Sequence, residues 1–168
     1  LAGLLISPSR GLLIFSPVVL VAAAGVRSAL RETWASPLRW CAAALAIQYL
    51  VYGSYAVWWG GHTYGPRYML DLLPLTVPLA AAAMARLPWP PLATAAAVVA
   101  LAWSLLVAGT GAFCYPNDQW NSSPTDVDRN HVRLWDWSDN QIQRCWKAGH
   151  SPQNFALFVS SARRVQPQ

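Results

Sequence analysis

The sequence predicts an all-α membrane protein with about four transmembrane helices followed by a small extracytoplasmic cap. Of its 168 residues, 55% are hydrophobic and only 11% are charged, whereas about a quarter of the residues in a soluble domain are charged. Long charge-free intervals include residues 11–26, 40–66 and 87–113. Residues 11–113 carry seven charges and the 55 residues from Cys114 onward carry eleven. A membrane part therefore precedes a polar tail.

Each charge-free interval contributes to one membrane crossing, which needs about 20 apolar residues. The predicted spans are 9–26, 39–59, 67–86 and 91–113, and the predicted cap is 114–168. Pro17 starts or kinks the first span, and Pro74 and Pro78 do so in the third. Membrane helices tolerate such prolines where neighbouring helices satisfy the freed carbonyl groups.

Short connections predict the orientation. The connections 27–38 and 86–90 carry three arginines, and the positive-inside rule therefore places both in the cytoplasm. The turn 7–10, the loop 60–66 and the cap then face the opposite side. The net charge of +5 does not indicate a nucleic-acid partner, because the arginines occur one or two at a time and do not form a stripe with aromatic residues.

Two of the three cysteines lie in the predicted cap. Cys114 and Cys145 form either a disulfide or two free thiols, and an extracytoplasmic compartment permits the disulfide. Cys41 lies inside a span, where it acts as a small apolar residue. The histidines have no metal-ligand spacing with the cysteines, so the sequence identifies neither a metal site nor a cofactor.

The loop after the second span contains the most informative polar residues. Tyr64, Arg67, Tyr68 and Asp71 follow the i, i+3, i+4, i+7 spacing and would share one helix face. Asp71 would lie about one turn below the surface, where an ionisable group is costly unless it is paired or functional. Arg67 therefore either forms an ion pair with Asp71 or binds a phosphate at headgroup depth.

Two further groups are open to alternative interpretations. Arg10 is either an interfacial anchor whose side chain extends to the headgroups or a second phosphate contact. Trp135, Asp136 and Trp137 form either a packing group or a glycan contact, because indole rings cover the apolar faces of sugars as well as protein cores.

Four segments have the character of family motifs: 7–17 (SPSRGLLIFSP), 59–61 (WGG), 64–68 (YGPRY) and 133–139 (RLWDWSD). Together they resemble the C-terminal half of bacterial polytopic proteins of the glycosyltransferase-39-like class. These proteins are similar to the dolichyl- or polyprenyl-phosphate-mannose mannosyltransferases of the GT-C fold.

The resemblance implies that a polyprenyl-phosphate-sugar donor enters from the bilayer and that the sugar is transferred on the extracytoplasmic face of the bacterial inner membrane. Membrane lipid and a glycan, lipid or protein acceptor would be the other partners, and the divalent metal requirement stays open. The implied donor-phosphate residues are Arg67, Arg10, Tyr64, Tyr68 and His62.

The catalytic base of that family is an acidic residue in the first outer loop, and Asp71 does not match it. Because the sequence opens in the middle of a hydrophobic run, we expect this chain to be a C-terminal piece that is inactive alone.

Two other functional classes fit the same pattern of apolar spans and outer polar residues. One is a transporter or flippase subunit, which would also have proline-broken spans. The other is a non-enzymatic membrane scaffold with an outer cap.

Overall fold

The computed structural model describes residues 1–114 and 116–149, and every regular element within them is helical. The predicted all-α class is therefore confirmed, while residues 150–168 of the predicted cap lie outside the described part. The α-helices are α1 (Ala2–Ile6), α2 (Leu12–Phe15), α3 (Val19–Leu30), α4 (Pro37–Gly53), α5 (Arg67–Leu70), α6 (Leu73–Arg86), α7 (Pro91–Phe113), α8 (Pro116–Ser122) and α9 (Gln141–Ala148). A 3₁₀ helix covers His131–Trp135. We refer to residues 116–149 as the cap.

Helix α7 is the one helix of the described residues that is long and apolar enough to cross a membrane. Its 23 residues have the bounds of the predicted span 91–113, and only 11% of its most apolar window is buried. Helices α3 and α6 are apolar but shorter, with 12 and 14 residues. Of the four predicted spans, the structure reproduces the bounds of this one.

The predicted span 9–26 divides into α2 and α3 at the proline that was expected to start or kink it. Pro17 is the physical cause, since the residue before a proline is disfavoured in the helical conformation. Ser16 accordingly has φ −142° and ψ 62°. Helix α3 begins two residues after this proline and continues to Leu30, beyond the predicted end.

The predicted span 39–59 is too long at its C-terminal end. Helix α4 ends at Gly53, and the hydroxyl of Ser54 donates to the carbonyl of Leu50 at 2.9 Å. A side chain that bonds to the last carbonyl groups competes with continued helix. Residues 54–66 therefore form a longer outer connection than the sequence predicted.

The predicted span 67–86 divides into α5 and α6. Helix α5 ends at Leu70 and α6 begins at Leu73. Pro74 has no N–H to donate to the carbonyl of Leu70, so a single helix cannot continue through this point with all its hydrogen bonds. The break places Asp71 in a turn between two helices.

Close packing of α3 against α6 organises the helical part. Gly25 allows this approach, because a Cβ added there would overlap the backbone carbonyl of Leu79. Ala22 and Ala42 complete a buried cluster with Leu79, and this cluster brings α4 against the same layer. Small residues thus set the separation of the helices in this region.

The cap packs on the outer connection through a second apolar cluster, which consists of Trp59, Trp120, Val127 and Leu134. The hydroxyl of Ser7 also donates to the carbonyl of Leu134 at 2.6 Å. The cap is therefore joined both to the outer connection and to the turn that precedes α2.

Candidate functional site

Two consecutive glycines turn the outer connection back toward α5. Gly60 and Gly61 have φ values of 79° and 71°, which residues with a Cβ rarely adopt. The turn buries Trp59 against the cap, while His62 and Arg67 stay exposed. A Cβ built on Gly60 would lie 3.4 Å from the Cβ of Arg67, so the Arg67 side chain leaves the backbone beside this turn.

Arg10 lies beneath the cap and is only 1% exposed. A guanidinium has five N–H donors, and all five of Arg10 have protein acceptors. Nε donates to the carbonyl of Trp59 at 2.9 Å. Nη1 donates to the carbonyl of Ser9 at 2.9 Å and to Oε1 of Gln141 at 2.7 Å. Nη2 donates to the carbonyl of Gly61 at 3.1 Å and to Oδ1 of Asn121 at 2.7 Å. No donor remains for a ligand. The prediction of Arg10 as a phosphate contact or an interfacial anchor is therefore wrong.

Arg10 is a buried cation held by neutral oxygen atoms. Among the described residues no carboxylate lies within ion-pair distance of it. Burial lowers the pKa of its guanidinium to about 10, an effect that the charge of Asp128 opposes, so the group stays protonated at neutral pH. Its carbon lies 5.4 Å from the ring centre of Trp120, which adds a cation–π attraction. Arg10 thus joins three segments: the turn before α2, the outer connection and the cap.

Gln141 is the polar partner that the sequence analysis missed. It is fully buried, and its Oε1 accepts hydrogen bonds from Arg10 and from the backbone N–H of Gly65 at 3.0 Å. Its Nε2 donates to the carbonyl of Thr63 at 2.7 Å. Asn140 caps α9 with its side chain. This local pattern predicts where the helix begins, but it does not indicate the distant partners of Gln141.

Arg67 is exposed, and within residues 1–114 and 116–149 its guanidinium makes no ion pair or hydrogen bond. The predicted Arg67–Asp71 ion pair is therefore wrong. Because α5 ends at Leu70, the helical spacing does not extend to Asp71. This carboxylate instead accepts a hydrogen bond from the hydroxyl of Tyr52 at 3.0 Å. The Arg67 guanidinium remains available to a ligand.

The two tyrosines of the predicted phosphate site differ in their surroundings. The hydroxyl of Tyr64 donates to the carbonyl of Val107 at 2.9 Å, and its ring meets Phe15 edge-on at 5.2 Å. Tyr64 thereby fastens the outer connection to α7, and its hydroxyl is occupied. Tyr68 stacks on Tyr52 with ring centres 5.0 Å apart, and it directly follows Arg67 in the sequence.

His62 faces two carboxylates of the cap. Its Nε2 lies 3.2 Å from Oδ1 of Asp126 and 3.5 Å from Oδ2 of Asp128. Hydrogen bonds from the backbone N–H of Asp128 and from His62 lower the pKa of the Asp126 carboxyl below its usual value. Two neighbouring carboxylates repel a phosphate, so this geometry disfavours the predicted phosphate contact of His62.

An apolar cavity of about 340 Å³ lies between α3, α4 and α6, with further walls from α1 and α2. Apart from Tyr49 and Thr76, its lining side chains are apolar. Met69 of α5 lines it as well. A cavity with hydrocarbon walls stays dry and accepts apolar ligands, so this space suits a hydrocarbon chain.

The Trp-Asp-Trp group lies on the surface of the cap. Trp135 and Trp137 are both exposed, and the ring of Trp135 lies 6.4 Å from that of Trp58. Asp136 accepts hydrogen bonds from the hydroxyl and the backbone N–H of Ser138, which lower the pKa of its carboxyl. One oxygen of this carboxylate thus closes a local turn. Because the indole rings are exposed, both the packing role and the glycan contact stay open for this group.

Cys114 and Cys145 form the disulfide that was one of the two predicted alternatives. Their Cα atoms are 5.7 Å apart, and they are separated by 31 positions in sequence. The bond joins the C-terminal end of α7 to α9. Closing a loop of this length stabilises a folded chain by about 3–4 kcal/mol on chain-entropy grounds.

No protein-family model, no curated protein and no solved structure matches the chain. The similarity to glycosyltransferases therefore stays a prediction from the sequence motifs.

Proposed function

We propose that this chain is part of an integral-membrane glycosyltransferase that uses a polyprenyl-phosphate-linked sugar as its donor on the extracytoplasmic face. The observation that carries the proposal is that one short helix holds both the exposed Arg67 and a wall residue of the apolar cavity. Arg67 begins α5, and Met69 of the same short helix lines the cavity. A lipid-phosphate donor needs this combination of a hydrocarbon site and a nearby cation.

Four membrane crossings are part of this proposal. Helix α7 supplies one, α4 a second, and the proline-broken pairs α2–α3 and α5–α6 supply the other two. Broken helices occur in membranes where neighbouring helices satisfy the freed backbone groups. Large apolar side chains are exposed along these helices, which supports a hydrocarbon surrounding; they include Leu20, Ile47, Val77, Val98 and Leu105.

The contacts of Glu32 support the proposed orientation. Its carbonyl accepts a hydrogen bond from Arg39 at 2.9 Å, and its carboxylate forms an ion pair with Arg86. The α3–α4 connection and the C-terminal end of α6 therefore meet at one end of the molecule. The arginines at this end favour the cytoplasmic side. The outer connection, with Arg67 and the cap, then faces the other side.

In this proposal Arg67 binds the donor phosphate through its planar set of N–H donors. Negative charge grows on the phosphate as the bond between sugar and phosphate breaks, and a fixed guanidinium stabilises that charge. The polyprenyl chain occupies the apolar cavity. Asp71, whose carboxylate is bonded to Tyr52, is not assigned as the base. The acceptor is a glycan, a lipid or a protein.

The substitution Arg67→Lys tests the proposal in the full-length protein that carries this chain. Sugar transfer from a radiolabelled polyprenyl-phosphate donor is measured in membranes. We expect kcat to fall about tenfold for Arg67→Lys and about 100-fold for Arg67→Ala, because lysine keeps the charge but cannot make the paired hydrogen bonds. Arg129→Lys is the matched control, since Arg129 is an exposed arginine of the cap, and it should leave kcat unchanged.

Three results would contradict the proposal. Full sugar transfer by Arg67→Ala at wild-type abundance would remove Arg67 from the phosphate site. A wild-type protein that transfers no sugar, but moves a lipid or solute across sealed vesicles, would indicate a transporter or flippase. A protein with neither activity would be a membrane scaffold.

A further inference from the structure

One histidine and two aspartates meet where the outer connection joins the cap. His62 comes from the outer connection, and Asp126 and Asp128 come from a turn of the cap. Nε2 of His62 and one oxygen of each carboxylate lie within 4.8 Å of one another. The three side chains are 39%, 35% and 49% exposed, so an ion from solution can reach all of them.

Two of the three distances between these atoms match the spacing of ligands around a metal ion, and the third, between the two carboxylate oxygens, is at most 4.8 Å. At ligand distances of about 2.0–2.2 Å, two ligand atoms of a tetrahedral zinc site lie roughly 3.4 Å apart. Nε2 of His62 is 3.2 Å from the oxygen of Asp126 and 3.5 Å from that of Asp128. Small rotations of exposed side chains are therefore enough to direct the three atoms at one ion.

Neighbouring groups hold both carboxylates in this orientation. Nε1 of Trp59 donates to Oδ1 of Asp128 at 2.7 Å, while Oδ2 of the same carboxylate faces His62. The backbone N–H of Asp128 donates to Oδ1 of Asp126 at 2.8 Å. Val127 between them is fully buried, and its N–H bonds to the carbonyl of Asn121 at 2.8 Å. Such hydrogen bonds to ligating groups orient them and tune metal affinity.

We propose that His62, Asp126 and Asp128 form a Zn²⁺ site in which water completes the coordination. Zinc accepts imidazole nitrogen and carboxylate oxygen together, whereas Mg²⁺ and Ca²⁺ prefer ligand sets made of oxygen alone. His62 and Asp126 are 64 positions apart. The bound ion would therefore link the outer connection to the cap. This zinc site does not depend on the proposed glycosyltransferase activity.

The test uses the full-length, untagged protein, purified in detergent and stripped of metal by a chelator. Competition with a fluorescent zinc chelator gives the Zn²⁺ affinity, and elemental analysis after dialysis gives the stoichiometry. We expect one Zn²⁺ per chain, bound at least tenfold more tightly than Mg²⁺ or Ca²⁺. Zn²⁺ should also slow proteolysis of the cap, because it joins the cap to the outer connection.

Conservative variants identify the ligands. His62→Gln and Asp128→Asn should each weaken Zn²⁺ binding by more than about tenfold, and Asp128→Asn keeps an oxygen that can accept the hydrogen bond of Trp59. His131→Phe is the matched control, because His131 is an exposed histidine of the same cap but not one of the three ligands, and a phenyl ring keeps its contact with the ring of Trp59. It should bind Zn²⁺ as the wild type does. A near-ultraviolet circular dichroism spectrum shows whether each variant keeps its fold.

Two results would overturn the proposal. In the first, wild-type protein binds no Zn²⁺ above the level of the double variant His62→Gln/Asp128→Asn, and the three residues form only a hydrogen-bonded ion pair. In the second, the folded single variants retain wild-type affinity, so that the ion lies elsewhere in the protein.

Discussion

Arg10 and Arg67, which lie on either side of the outer connection in sequence, differ in burial and in hydrogen bonding. Arg10 directs its five N–H groups to five neutral oxygen atoms, while Arg67 is exposed and directs none to the described residues. A buried arginine with all donors used stabilises structure. An exposed one is free to bind an anion, so the two arginines call for different experiments.

Replacing Arg10 should detach the cap. We expect Arg10→Ala to lower the free energy of unfolding by about 4 kcal/mol or more, because several buried acceptors lose a charged donor at once. Arg10→Lys should have a smaller effect, since an ammonium retains three donors. The thermal unfolding midpoint of the detergent-solubilised protein and the rate of cap proteolysis measure this. Arg129→Ala, at an exposed position, serves as the control, and equal midpoints for the two alanine variants would contradict the role of Arg10.

Residues could be predicted from the sequence only where a local pattern carries the information. The glycine-rich bend before an apolar segment predicts Arg67 as a phosphate contact, and this role stays a prediction. No local pattern indicates the proposed zinc ligands, because His62 and Asp126 are 64 positions apart. The role of Arg10 was also missed, since its partner Gln141 lies 131 positions away.

The prolines decide the helical elements more than hydropathy does. Hydropathy correctly predicts α7, which has proline at its start and none in its interior. It joins α2 to α3 and α5 to α6, although Pro17 and Pro74 interrupt the hydrogen bonds at these points. The prediction that Pro17 and Pro74 start or kink a helix therefore agrees with both divisions, whereas Pro78 lies inside α6 without ending it.

Two glycines provide a matched test of helix packing. Gly25→Ala should destabilise the fold by about 2–3 kcal/mol, because its Cβ would overlap the backbone of Leu79 and force α3 away from α6. Gly109→Ala in α7 should be neutral or stabilise by up to about 1 kcal/mol, since its Cβ would meet no atom within 4 Å. Thermal unfolding midpoints measure both. If both variants shift the midpoint equally, the α3–α6 contact does not set the stability.

For the whole molecule, the disulfide allows a test of which side of the membrane the cap faces. With the cap outside the cytoplasm, a membrane-impermeant maleimide should label Cys114 and Cys145 in intact cells after reduction, and only weakly before it. A Cys41→Ala background removes the third thiol, which is partly exposed. Labelling that requires permeabilised cells, both before and after reduction, would place the cap in the cytoplasm and contradict the proposed orientation.

The sequence predicts the helical class, the last span and the two cysteines that pair, because these depend on composition and on near neighbours. It does not predict how the cap meets the helices. That contact uses Ser7, Trp59 and Leu134 together with the amides of Asn121 and Gln141, which come from five separate elements of the chain. Only the folded arrangement brings them together.

The hydrogen bonds of Arg10 also impose an order on biosynthesis. The ribosome makes Arg10 long before Asn121 and Gln141, so two of its five acceptors do not yet exist when α1 and α2 leave the ribosome. Until α9 follows, the guanidinium has to keep water or a chaperone as its partner. A nascent chain that stalls before residue 141 thus displays an incompletely bonded arginine, which quality-control proteases could recognise as a mark of unfinished assembly.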